Sequence, residues 1–207
     1  MILPEEYTTI GTYSEIKLKE RSSVFIGMCY PVNSEEEVSG ILETIRKKYY
    51  DATHHCYAYS LINGIFKYSD DGEPSGTAGL RIYNAIQHFS LMNLLVIIVR
   101  YFGGTKLGVG PLGKAYYESA FLTIDQSVKI KKTAFVKYEI RFNFNLTSRV
   151  HYILSKLKAK ITSTTYEDSV CIEAFIKLSE TKRLCQFVAE DLKGEVALTD
   201  NKEICFI

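Results

Sequence analysis

Asp70-Asp71-Gly72-Glu73-Pro74-Ser75-Gly76-Thr77-Ala78-Gly79 and Arg100-Tyr101-Phe102-Gly103-Gly104-Thr105-Lys106-Leu107-Gly108-Val109-Gly110-Pro111-Leu112-Gly113-Lys114 are two long glycine-rich loops, the first carrying acids and the second bases. Connections between elements have a median of about 4–6 residues, and loops of about twelve or more without internal structure are usually functional or disordered. Between the two lies Leu94-Leu95-Val96-Ile97-Ile98-Val99, an apolar run without alternation. It reads as a strand buried on both faces, which needs cover on each side.

The flanking chain supplies that cover. Residues 7–18 and 22–32 are rich in Thr, Tyr, Ile, Val and Phe and read as two strands around the Lys19-Glu20-Arg21 turn. Ser34 with Glu37 is a capping-box pattern, and Val38, Ile41, Leu42, Ile45 and Tyr49 recur as one buried helical stripe. Residues 53–62 and 65–69 flank Asn63-Gly64, the signal for a hairpin with a type I′ turn. Leu80, Ile82, Tyr83, Ile86 and Phe89 mark a helix over 77–90, and a second amphipathic helix is expected over 112–128, starting just after Pro111.

Lys129-Ile130-Lys131-Lys132-Thr133 is the expected boundary between domains 1–132 and 133–207. Beyond it, Val136, Tyr138, Ile140, Phe142 and Phe144 alternate with polar residues as in a half-exposed strand. A helix with Val150, Ile153, Leu154 and Leu157 follows, then a hairpin over 160–178 turning at Glu167-Asp168, a helix with Leu184, Phe187, Val188 and Leu192, and closing strand material over 195–207. The order βαββαβ is that of a ferredoxin-like unit, so the fold class is α+β with two domains.

With 207 residues, 46% hydrophobic, and a formal net charge of +1, the chain can bury a sizeable core and has no overall charge that points to a nucleic-acid tail. Charge is uneven locally. No carboxylate falls between Glu73 and Glu118, an interval holding Arg81, Arg100, Lys106 and Lys114. A second acid-free interval between Glu139 and Glu167 holds Arg141, Arg149, Lys156, Lys158 and Lys160. Such surfaces attract phosphate, although solvated helix faces have the same composition. Five cysteines without CxxC spacing argue against a zinc ribbon or a disulfide framework and for reduced thiols. Met1-Ile2-Leu3-Pro4-Glu5-Glu6 is unlike a signal peptide, and the longest apolar run is too short for a bilayer, so a cytoplasmic location without membrane association is expected.

The basic loop has the ingredients of a phosphate site: glycines that permit close backbone approach, a helix N-terminus, and cations. Arg100, Gly103, Gly104, Lys106, Gly108, Gly110 and Lys114, with Ser75 and Thr77 of the acidic loop, form the candidate ligand- or phosphate-binding set. Gly108, Gly110 and Gly113 spell GxGxxG, but no acid-bearing second strand follows, which excludes a dinucleotide fingerprint. Gly108 through Lys114 have P-loop spacing, yet Ala115 stands where the magnesium-binding hydroxyl is required. Asp70, Asp71 and Glu73, with His54, are hard donors suited to a divalent cation, the one cofactor worth considering. In a strand His54 and Cys56 face one side and His55 the other, so the three cannot share one ion. The same carboxylates could instead cap the Gly76 and Thr77 amides or pair with Arg100. Cys56 could be a nucleophile beside a histidine, or simply core. His88 and His151 have no partner pattern.

The two loop segments, together with Arg21-Ser22-Ser23-Val24-Phe25-Ile26-Gly27 and Ala52-Thr53-His54-His55-Cys56-Tyr57-Ala58-Tyr59, resemble four ordered signature segments of the YigZ/IMPACT family. The resemblance covers the first domain nearly end to end, and the tail resembles the small domain that bacterial members append. It implies a ribosomal-protein-S5 domain-2-like fold followed by one like the C-terminal domains of elongation factor G. It also implies a role in translation: eukaryotic relatives restrain, through protein binding, the pathway that activates a starvation-responsive initiation-factor kinase, and bacterial members have been suggested to bind nucleic acid. One departure is Gly110-Pro111-Leu112-Gly113-Lys114-Ala115-Tyr116, where members commonly have a Gly-Gly-Leu-like step with Arg before Ala-Tyr.

The reading that results is a non-catalytic, translation-associated regulator binding RNA, a ribosome-associated or other protein partner, or a phosphate-bearing ligand between the two loops. Arg149, Lys156, Lys158 and Lys160 would be secondary nucleic-acid contacts. The alternative is a metal-dependent hydrolase or transferase of a phosphate-containing small molecule. Either requires the acidic and basic loops to line one groove.

Overall fold

The structure, a computed structural model, describes residues 3–207 apart from the side chains of Asn201 and Lys202; Met1 and Ile2 of the leading segment lie outside the described residues. Its elements run β1 (Glu6–Ile10), β2 (Ser14–Glu20), β3 (Ser23–Pro31), α1 (Glu35–Lys48), β4 (His54–Ser60), β5 (Phe66–Ser69), α2 (Gly79–His88), β6 (Leu94–Tyr101) and α3 (Val109–Asp125). They continue with β7 (Lys129–Phe142), α4 (Thr147–Lys156), β8 (Lys160–Tyr166), β9 (Val170–Lys177), α5 (Thr181–Glu190) and β10 (Ala197–Phe206). Tyr7–Lys131 form one compact unit, and Pro4–Glu6 with Lys132–Ile207 a second. The fold class is α+β. Among the described residues no helix is long and apolar enough to cross a membrane.

In the first unit an antiparallel sheet has the order β2-β3-β6-β4-β5. The central β6 is covered on both faces, as its unbroken apolar run requires. Leu94, Val96 and Ile98 pack with Ile82, Ile86, Leu112, Tyr116 and Ile124 of α2 and α3. Leu95, Ile97 and Val99 pack with Val38, Leu42 and Ile45 of α1. Helix α1 begins as its sequence indicates: Ser34 accepts from the Glu37 amide, and Glu37 reaches back to the Asn33 amide. Three acids fill its first turn and three bases its last, matching the macrodipole.

Three local expectations are corrected. Residues 7–18 are two strands, broken over Gly11-Thr12-Tyr13; β1 pairs with β7 rather than continuing into β2. The 53–69 hairpin forms, but its turn is not type I′. Gly64 alone in the loop has positive φ (80°), Gly64 N–H donates to Leu61, and Leu61 N–H donates to Ile65. This is the three-residue loop in which a left-handed glycine follows a tight turn, so Asn63 keeps ordinary backbone and its side chain accepts from Ile65 N–H. Helix α3 starts at Val109, ahead of Pro111, because the first-turn amides have no intrahelical acceptor and a proline there removes nothing that the helix uses.

In the second unit β7, β9, β8 and β10 form an antiparallel sheet of order β10-β7-β9-β8. This is the ferredoxin-like arrangement of a βαββαβ chain, with Val150, Ile153, Leu154 and Leu184 of its helices packed on Tyr138, Ile140, Ile172 and Ile176 of the strands.

Because β6 serves two separate apolar layers, Ile97→Ala and Ile98→Ala should each destabilise the first unit by about 2–5 kcal/mol, one through the α1 layer and one through the α2/α3 layer. Urea denaturation of the two variants against the parent chain measures this.

Candidate functional site

Register across the central strands builds the site. Arg100 on β6 lies directly opposite Phe25 on β3 and His54 on β4, so aromatic ring, guanidinium and imidazole form one row on the face that carries α2 and α3. Arg100 is buried (5% exposed), and its guanidinium lies between the rings of Phe25 and Phe102, 5.4 and 5.6 Å from their centroids. Nη1 donates to Glu73 Oε1 at 2.5 Å and Nη2 to Ser23 Oγ at 3.2 Å, while Nε–H is buried without an acceptor. Glu73, also buried, accepts a further bond from the Tyr116 hydroxyl at 2.8 Å. A buried ion pair of this kind persists only where added hydrogen bonds complete it, as Tyr116 does here. Burial, with Cys56 and Glu73 alongside, pushes the Tyr116 hydroxyl well above its ordinary range and keeps it a donor.

The remaining acids hold the loop in shape. Asp70 accepts from the amides of Gly76, Ala78 and Gly79 at 2.8–2.9 Å, placing its charge at the positive end of α2. Asp71, in left-handed backbone (φ 43°), accepts from His55 N–H at 2.6 Å and pairs with Arg46 at 3.3 Å. Its carbonyl lies 2.8 Å from His54 Nδ1, which must therefore carry the proton, and His54 Nε2 then faces Glu73 Oε1 at 3.8 Å. Cys56 is buried and donates to the Asp70 carbonyl; burial pushes its thiol up, so it is packed and protonated rather than poised as a nucleophile.

The two loops do line one groove, of about 470 Å³. Its walls are Pro74, Phe102, Leu107, Val109 and Leu112; its polar members are Thr53, His54, Glu73, Arg100, Lys106 and the Gly108 backbone. The volume falls in the usual range for ligand pockets, about 300–1,000 Å³. Of the sequence candidates, Arg100, Lys106, Gly108, Glu73 and His54 meet there. Gly104 and Gly110 sit in open space near it in sequence. Ser75 is exposed on the acidic loop, whereas Thr77 is buried and donates to the Pro74 carbonyl at 2.6 Å. Gly103 is needed for packing: a Cβ there would stand 1.9 Å from the Ser22 carbonyl oxygen. Lys114 points elsewhere, lining a separate hollow with Tyr117, Glu118 and Phe121. Asp70, Asp71, Glu73 and His54 do not form a cation site: their donors are engaged by amides, Arg46, Arg100 and Tyr116, and among the described residues no three His, Cys, Asp or Glu are grouped to hold a metal. Arg149 and Lys156 lie on α4, Lys158 follows it, and Lys160 opens β8; Lys156 and Lys160 stack over Tyr152 and Phe135.

Tyr116, Phe102 and Val109 escaped the sequence reading. Tyr116 is one position of an apolar helical stripe and carries no local signal. Phe102 and Val109 did carry one, as large apolar residues in a glycine-rich loop, and they are 44% and 67% exposed at the groove.

A family model described as the Impact N-terminal domain matches residues 21–124, and one described as a domain of unknown function (DUF1949) matches residues 140–194. The IMPACT family member YvyE of Bacillus subtilis (strain 168) is 27% identical over 191 residues, covering 91% of this chain and 88% of that protein. The IMPACT family member in the pol 5'region of Thermus thermophilus is 38% identical over 132 residues, covering 64% of this chain and 72% of that protein. A crystal structure of a hypothetical protein has a TM-score of 0.67 at 24% identity over 95% of this chain and 97% of that one, a likeness of fold.

Removing one member of the buried pair strands the other, so Glu73→Ala and Arg100→Ala should each lower stability by about 3–5 kcal/mol, and the double variant Glu73→Leu/Arg100→Met by much less than their sum. Denaturant unfolding of the three proteins gives the comparison. Burial also raises the thiols of Cys29 and Cys56 from an ordinary value of 9.0. The folded chain then keeps protons that the unfolded chain releases. Stability, fully present below about pH 9, should fall as pH rises further, by up to about 1.4 kcal/mol per pH unit for each thiol. Unfolding curves between about pH 8 and pH 10 should steepen this way for the parent and less for Cys56→Ala.

Proposed function

From a chain that belongs to the Impact N-terminal domain family, we propose a non-catalytic, translation-associated regulator whose first unit binds a protein partner in the groove between the acidic and basic loops. The observation that carries this reading is the groove's make-up: mainly apolar walls, with the Arg100 charge already answered by Glu73. RNA recognition relies on unpaired cations tracking phosphates and on exposed planes for base stacking. Only Lys106 in the lining is a cation without an ion pair among the described residues, and no Asn or Gln is present to read a base edge. Protein interfaces, by contrast, centre on desolvated apolar and aromatic anchors, as Phe102, Leu107 and Val109 are placed to be. The phosphate-ligand reading loses Lys114, Gly103 and Thr77, and the hydrolase alternative loses its metal donors. Arg149, Lys156, Lys158 and Lys160 in the second unit would be a separate, secondary set of contacts, worth little individually.

A photo-crosslinking amino acid at Val109, in the full chain in its native cells, tests the reading. Crosslinks to a protein of the translation apparatus, resistant to ribonuclease and weakened about five- to tenfold by Phe102→Ala, are expected, a loss of about 1–1.4 kcal/mol. Crosslinks to RNA alone would overturn it.

A further inference from the structure

The groove's donors and its apolar walls alternate along one short piece of chain, and that alternation limits what can fill it. Helix α3 starts from Gly108 with no side-chain cap and no acid in its first turn. Leu112 N–H donates to the Gly108 carbonyl and Pro111 has no N–H, which leaves the Val109 and Gly110 amides without an acceptor among the described residues, at the positive end of a 17-residue helix. Lys106, exposed and unpaired, lies on the same lining, and so does Arg100, whose Nε–H is the buried donor without an acceptor. The ring of Phe102, also in the lining, has its centroid 5.6 Å from that guanidinium. These groups all call for an anion.

Charge restricts the anion. Glu73 already answers Arg100, so Lys106 is the cation left in the lining, which balances one negative charge and leaves a phosphate monoester dianion in excess. Placement restricts it further. Val109 offers an amide and an apolar side chain from the same residue, and Leu112 lines the wall within one turn of it, so the ligand must carry its charge and its apolar body on adjacent atoms. An Asp or Glu side chain brings only methylenes next to its carboxylate. The α-carboxylate of a chain ending in a branched or aromatic residue brings a full apolar side chain, and capture of chain ends by free backbone amides is a recurring recognition mode.

We propose that the groove takes the C-terminal carboxylate of a partner polypeptide whose last residue is apolar, with the carboxylate on the Val109 and Gly110 amides and Lys106, and the side chain against Phe102, Leu107 and Leu112. This rests on the reading of the groove as a protein-binding site and specifies what is bound. The test uses the full chain and N-acetylated tetrapeptides ending in Leu, Ile or Phe, each as free acid and as C-terminal amide, followed by amide shifts of residues 106–112 in NMR titrations. At least one free-acid peptide should bind, its amide about tenfold or more weaker, and inorganic phosphate should not compete at equal concentration. Lys106→Ala should weaken binding about tenfold. Val109→Asp supplies the helix end with its own carboxylate at an exposed position, so it should abolish binding while holding or raising the melting temperature. Equal binding of acid and amide, undiminished binding to Val109→Asp, or 4-methylpentanoate binding as tightly as the peptides would each overturn the proposal. If no peptide binds while the Val109 crosslink to protein persists, this inference alone falls; if the crosslink is absent as well, the reading of the groove falls with it.

Discussion

The first unit is arranged around a carboxylate and a guanidinium that have both left water. Glu73 comes from the acidic loop, Arg100 from the end of the central strand, and Tyr116 from the helix that follows the basic loop, so one small cluster fastens three separate stretches of chain. Neither charge is tolerable without the other, and neither pairs well without neighbours to take up its remaining bonds. That requirement fixes how the acidic loop must run: Asp70 turns back onto the start of α2, and Asp71 takes a strained left-handed conformation to reach His55 and Arg46.

The same pairing decides what the groove can recognise. In the sequence, the interval from Glu73 to Glu118 reads as a basic surface. In the folded chain its most central base is neutralised and capped by Phe102, and Lys114 is carried to a different part of α3. What faces solvent is an apolar rim with one lysine. Several glycines of the loops serve contacts within the protein: Gly103 lies against the Ser22 carbonyl, and a Cβ on Gly79 would stand 2.7 Å from the Ser69 backbone. Close approach is indeed the reason for glycine there, but the approaching group is the chain itself.

How much could be read beforehand follows from which signals are local. The doubly buried β6 was legible because six consecutive apolar residues cannot be satisfied by a sheet with one wet face. Helix α1 was legible through its cap and charge order, and the βαββαβ order through alternation and helical stripes. The break after Ile10 was not, since Thr12 and Tyr13 are good strand residues and what separates β1 from β2 is the strand each pairs with. The hairpin turn failed for a related reason: Asn-Gly permits a two-residue loop, but the register of Ser60 opposite Phe66 requires a longer one. For the site, residue types were legible and their states were not. An Asp beside glycines looks the same in sequence whether it waits for a cation or answers three amides.

Convergence of the loops is therefore less informative than the order in which their groups are satisfied. A buried donor or acceptor is expensive to leave unmade, so folding engages the strongest groups first and leaves for a ligand only those that no internal partner can reach. At this groove the acids are all engaged, the thiol is closed off, and the hydroxyl of Tyr116 is committed to Glu73. The groups left over include amides at a helix start, one guanidinium N–H and one ammonium, donors set among apolar side chains. A surface whose unsatisfied groups are mainly donors selects its ligand by them, which is why the character of this site follows from its remainder rather than from its full inventory of charged residues.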